Sequence, residues 1–138
     1  MSEAAKARGL KWLRLALIVG GGYEIIMGLV MIFLIQVFFP LLGAPEKINY
    51  LIFPRTAGAL AVCFGALLLA AARDPARYLV IPLASIVLRL VIQLPILAGC
   101  LEVPAVLFPL LGFGAFDLVF AVLTALALKA SGLDWKKW

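Results

Sequence analysis

The chain has 138 residues, 66% of them hydrophobic and 14% charged, with a mean hydropathy of +1.18. A soluble domain carries roughly a quarter of its residues charged, so this composition excludes one, and the apolar residues fall in long runs as membrane spans do. The net charge of +5 comes from Lys and Arg at the ends of those runs, which leaves no basic module for nucleic acid, and the absence of histidine removes histidine-ligated haem and metal sites and Ser/Cys–His–acid catalysis.

The first run follows Lys6, Arg8, Lys11 and Arg14 and stays apolar from Leu15 to Phe39, stopping at Pro40. It is too long for a signal-peptide core and no Ala-x-Ala cleavage site follows it, so it reads as a retained span over residues 12–39. Gly43, Pro45, Glu46 and Lys47 then give the chain loop chemistry. The second run covers 50–72, with Pro54 in its first turns, where proline is tolerated, and a stop at Arg73-Asp74-Pro75. The third covers 78–98, with Pro82 and Pro95 near its ends. The fourth covers 103–128, with Pro104 at its start and Pro109 expected to kink it, and closes at Lys129 and Gly132. Each run is long enough, at about 1.5 Å per residue, to cross a hydrocarbon core of about 30 Å.

The predicted fold is therefore all-α, a single integral membrane four-helix bundle. Lys and Arg gather at the amino end, at Arg73 and Arg77, and at Lys129, Lys136 and Lys137, whereas the opposite side has Lys47 and, just inside a span, Arg55. The positive-inside rule puts both termini in the cytoplasm and the protein in the inner (cytoplasmic) membrane, with Trp12, Tyr78, Trp135 and Trp138 as an interfacial belt on that side.

Each apolar run holds one charged residue: Glu24, Arg55, Arg89 and Asp117. Helical rise from Trp12, Tyr78 and Lys129 sets Glu24, Arg89 and Asp117 at a common depth of about 16–18 Å, near the midplane, and Arg55 closer to the outer face. Same-face offsets join Glu24 to Gly21 and Gly28, Arg55 to Gly58 and Gly65, Arg89 to Ser85 and Gln93, and Asp117 to Gly114 and Thr124. Small and polar residues favour close helix contact in membranes, so all four charges are expected to point inward.

Two arrangements fit. In one, formally cancelling charges form two structural ion pairs, Glu24 with Arg55 and Arg89 with Asp117, that specify which helices meet. In the other, a polar cavity at the midplane uses Arg89 and Gln93 as donors and Glu24 or Asp117 as acceptors, with hydroxyls from Tyr23 and Tyr50. Gly20-Gly21-Gly22 reads as a packing surface, because the strand–turn–helix setting of a phosphate loop is missing. Phe33, Phe38, Phe39, Phe108, Phe113, Phe116 and Phe120 read as packing or lipid-facing aromatics. Cys63 and Cys100 lie at different depths and read as free thiols.

Several of these features together resemble the DoxX-like group of small four-helix bacterial membrane proteins. They are the basic, Gly-rich first span (Arg14 to Gly28), Pro54-Arg55-x-x-Gly58, Ala72-Arg73-Asp74-Pro75-x-Arg77, Arg89 in span three and Asp117 in span four. The resemblance implies a four-helix fold and, for some relatives, association with membrane thiol or quinone redox chemistry; it transfers no catalytic residue.

The expected function is that of a small non-enzymatic membrane protein, an accessory or scaffold subunit with a charge-paired core. Its partners would be the lipid bilayer and further copies or a larger membrane complex. The alternatives are a binder or transporter of a small amphipathic or anionic molecule through Arg89, Gln93 and Arg55, and a quinone-linked redox component. No resident cofactor or metal is expected, quinone and lipid being the candidate ligands.

Overall fold

A computed structural model of the chain describes residues 2–41, 50–102 and 107–133, and among these residues every regular element is helical. Helix α1 spans Glu3–Leu29 and continues through a π-helical turn, Val30–Leu34, into α2, Ile35–Leu41. Helix α3 is Ile52–Arg73, α4 Val80–Val91, α5 Gln93–Glu102 and α6 Leu107–Ser131. Four helical stretches are long and apolar enough to cross a membrane: Glu3–Leu41, Ile52–Arg73, Val80–Gly99 and Leu111–Ser131.

Local chemistry explains where these helices start and stop. The Ser2 hydroxyl accepts from the Ala5 N–H at 3.3 Å, and Glu3 lies in the first turn, where it opposes the helix dipole. Helix α1 thus begins well before the apolar run of residues 12–39. Proline at 40 lies inside the helix, which is followed to Leu41, at the cost of one N–H bond to the preceding turn. Pro54 occupies the first turn of α3, where its absent donor has no intrahelical acceptor. Asp74 leaves the α-helical conformation and its carboxylate accepts from the Arg77 N–H at 3.2 Å, closing the turn to α4. Ser131 Oγ donates to the Leu128 carbonyl at 2.7 Å, and Gly132 takes φ 67°, a left-handed terminator that favours glycine.

The third apolar run is broken at Ile92, between α4 and α5. Pro95 has no N–H for the Val91 carbonyl, so the helical ladder is interrupted there. The interruption in the first helix is the π-turn, which carries one extra residue and re-aims the chain beyond it.

The helices are antiparallel neighbours in the order α3, α1, α6, α4, and α3 meets α4 far less than the other pairs meet. Two glycine pairs bring α1 and α3 into backbone contact. A Cβ on Gly21 would lie 2.8 Å from the Gly65 carbonyl oxygen, and one on Gly28 would lie 2.5 Å from that of Gly58. Near the termini, Gly9 presses so closely on the Ala130 backbone of α6 that a Cβ there would lie 2.2 Å away.

The apolar core occupies the half of the molecule that holds the termini. It consists of Leu13 and Leu17 of α1, Leu68, Ala71 and Ala72 of α3, Leu79 before α4, and Ala127 and Leu128 of α6. The outward-facing helix surfaces are apolar, with Ile26, Phe33, Val80 and Leu126 among many large exposed side chains. Lys47, Pro104, Trp135, Lys136, Lys137, Trp138 and the expected start of the fourth run at Val103 lie outside the described residues, as do the side chains of Cys100, Phe108 and Pro109.

Candidate functional site

Three of the four charged residues in the apolar runs meet at one level. Arg89, on α4, is 2% exposed and sits between two carboxylates. Its Nη1 donates to Asp117 Oδ1 on α6, and its Nη2 forms an ion pair with Glu24 Oε1 on α1 at 2.6 Å. The guanidinium carbon lies 5.1 Å from the centre of the Phe120 ring, a cation–π contact on its remaining face. Gly20 is the neighbour on α1, where even a Cβ would stay 3.6 Å from Arg89 Nη2.

The helix break beside Arg89 is stitched by Gln93, whose Nε2 donates to the Arg89 carbonyl at 2.9 Å. Gln93 thus gives one of its two amide N–H groups to the backbone, and it is not among the residues that line the cavity described below. Its Oε1 occupies the space left by Gly114, 2.8 Å from where a Cβ would be. Tyr23, one residue before Glu24, packs its ring against Phe116 and Phe120 at centroid distances of 6.1 and 5.6 Å.

Arg55 departs from the sequence expectation. It is exposed, and its Nε donates to the Ile32 carbonyl in the π-turn at 3.2 Å. Among the described residues it makes no ion pair, so the pairing of Glu24 with Arg55 is replaced by Glu24 with Arg89. Arg55 sits in the first turn of α3, at the far end from the termini, and the backbone carbonyl loosened by the π-turn lies closer than Glu24. Tyr50 is likewise 72% exposed and contributes no hydroxyl to the interior.

This relocation changes the charge balance. Without Arg55 the buried group has one cation and two carboxylates, so its formal charges do not cancel. Both carboxylates keep 17% of their side-chain surface accessible, whereas Arg89 keeps 3%.

What the carboxylates face differs on the two sides. Toward the termini, Leu17, Gly20, Leu68, Ser85, Phe120 and Thr124 close on Arg89 and leave no room for a water. Away from the termini the helices diverge around a cavity of about 600 Å³. Tyr23, Glu24, Arg89 and Asp117 form its floor, and the walls are apolar: Met27, Met31 and Phe38 from the first helix, Ala61 and Phe64 from α3, Ile92, Ile96 and Phe113 opposite. Leu60 and Leu88, which line it from α3 and α4, are 67% and 47% exposed, so the cavity opens sideways between the two least-packed helices. Sequence reasoning anticipated the floor; the walls gave no signal, because Met, Ala and Phe in an apolar run look alike whether they face lipid, core or cavity.

Among the described residues no cluster of carboxylates and thiols is arranged to hold a metal ion, and Cys63 is a free, exposed thiol. No family model, curated protein or solved structure matches the chain.

Proposed function

We propose that this chain is a four-span membrane protein that binds an amphipathic small molecule within the bilayer, polar end on the Glu24–Arg89–Asp117 floor and apolar body between α3 and α4. The observation that carries this reading is the cavity itself. A volume of about 600 Å³ with apolar walls and a few convergent polar groups is the form that small-molecule sites take, commonly 300–1,000 Å³. A purely structural ion triad needs no empty space beside it.

The four apolar helices and the Lys/Arg bias favour a bundle in the inner membrane with both termini cytoplasmic. In that orientation the packed half faces the cytoplasm and the cavity lies in the outer half. The helix stop Arg73-Asp74-Pro75, the Gly-rich first span and the placement of Arg89 and Asp117 are the features that link the chain to DoxX-like proteins. An accessory role in a larger assembly is compatible with the same site, the bound molecule being what the subunit holds or hands on.

The test is to fill the cavity. Ala61→Trp places an indole in the apolar space without touching the ion triad. Native mass spectrometry of the protein released from nanodiscs is expected to show a bound small molecule or lipid on the wild type and not on the variant. Ligand-free masses for both proteins, when both are equally folded, would refute a binding role.

A further inference from the structure

The charge of the floor selects the ligand. We infer that the cavity takes a lipophilic organic cation, an amine or onium group on an apolar body, in preference to a neutral or anionic molecule of the same shape; this rests on the binding role proposed above. The floor presents Glu24 and Asp117 against Arg89 alone, one formal negative charge in excess, and Arg55, the fourth charge of the apolar runs, is engaged at Ile32. The expectation of an anionic ligand held by Arg89, Gln93 and Arg55 fails on the same geometry. Arg89 is already paired with two carboxylates, Gln93 donates to a backbone carbonyl, and Arg55 donates to the Ile32 carbonyl.

Burial sharpens the preference. An unbalanced charge away from water is costly, and the electrostatic interactions that correct it are stronger there than in water. The carboxylates are the accessible members of the triad, so an arriving cation meets them while Arg89 stays covered. Phe38, Phe64, Phe113 and Tyr23 line the same space, and aromatic rings attract organic cations.

The groups that titrate around this floor are Tyr23 and Glu24 from α1 and Asp117 from α6, with Arg89 from α4; α3 contributes Ala61 and Phe64, which carry no charge. Protons and a ligand cation compete for the same two carboxylates. Cation binding therefore weakens on acidification, and binding of a neutral analogue does not.

The test uses probes matched in shape and differing in charge: tetraphenylphosphonium, tetraphenylborate and neutral tetraphenylsilane. Their binding is measured on the full chain in nanodiscs of zwitterionic lipid, for the wild type, Asp117→Asn, Glu24→Gln and Ala61→Trp. The wild type is expected to bind the phosphonium about tenfold or more tightly than the neutral probe, the equivalent of a single favourable charge contact. Each of Asp117→Asn and Glu24→Gln, which leave one carboxylate to balance Arg89, should bring that ratio close to one. Two variants are used because either one alone could fold poorly. Equal affinity for phosphonium and neutral probe, or tighter binding of the borate, would overturn the cation preference and leave the binding role standing. If all three probes bind the wild type and Ala61→Trp alike, the binding role itself is lost and the preference with it.

Discussion

A guanidinium held between two carboxylates is a sum of large opposing terms. Desolvation of three ionic groups disfavours the arrangement, and mutual attraction with a hydrogen bond to Asp117 restores most of that cost. Removing the cation is the damaging change, since it leaves two carboxylates side by side with no partner. Arg89→Ala is expected to cost about 3–5 kcal/mol, the usual range for orphaning a buried charge, and adding Glu24→Gln and Asp117→Asn should recover much of it. Arg55→Ala provides the contrast, because one exposed hydrogen bond to a carbonyl is worth about 0.5–1.5 kcal/mol. Denaturant titration of the four proteins in detergent measures both, and an Arg55→Ala loss as large as that of Arg89→Ala would contradict the assignment of the ion group. The common depth of Glu24, Arg89 and Asp117 was legible in the sequence, because it follows from counting residues from interfacial aromatics and lysines. The pairing of Arg89 with Asp117 was legible as well, but the partner of Glu24 was not. Adjacency in the first hairpin pointed to Arg55, although its own shallower depth already separated it from Glu24.

Among the elements, α1 and α3 share one register, written in glycine. Gly21 and Gly28 are seven residues apart, as are Gly58 and Gly65, and antiparallel packing sets Gly21 on Gly65 and Gly28 on Gly58. The equal spacing was visible on the page; what it paired with required the fold. Gly28→Ala or Gly58→Ala forces a Cβ into backbone that has nowhere to go, at a cost of about 1–3 kcal/mol for overpacking. Gly22 and Gly112 have nothing within 4 Å of a Cβ, so alanine there should be neutral or stabilising by up to about 1 kcal/mol through helix propensity. Thermal unfolding of the four alanine variants checks this; a Gly28→Ala protein as stable as Gly22→Ala would show that α1 and α3 do not approach so closely. The interruptions at Val30–Leu34 and Ile92 both fall on helices that wall the cavity. Pro95 announced the second, but nothing in Val30-Met31-Ile32-Phe33-Leu34 announces a π-turn, since it is a compromise between two packing registers and has no residue preference of its own.

For the molecule as a whole, the apolar runs made the number of long helices readable from composition alone, whereas the contrast between a packed half and a hollow half was not readable. Both halves draw on the same Leu, Ala, Phe and Met. The difference lies in the Leu and Ala side chains that close the core near the termini and in the two interrupted helices that border the cavity beyond the triad. Orientation is testable by labelling. With Cys63 and Cys100 replaced by alanine, a membrane-impermeant maleimide added to intact cells should modify Lys47→Cys, and should modify Arg77→Cys only after the membrane is opened. The reverse pattern would turn the protein over and move the cavity into the inner leaflet.

The sideways opening between Leu60 and Leu88 sets the reference state for any ligand. In a bilayer that gap faces acyl chains, so the cavity is filled by lipid before a ligand arrives, and binding is an exchange of one oily body for another. Lipid tails are as apolar as leucine, and the exchange gains nothing from apolar contact. Nearly all discrimination then falls to the few polar atoms at the floor. Measured affinities should accordingly vary with the acyl composition of the surrounding membrane, while the ranking of ligands by head group stays the same.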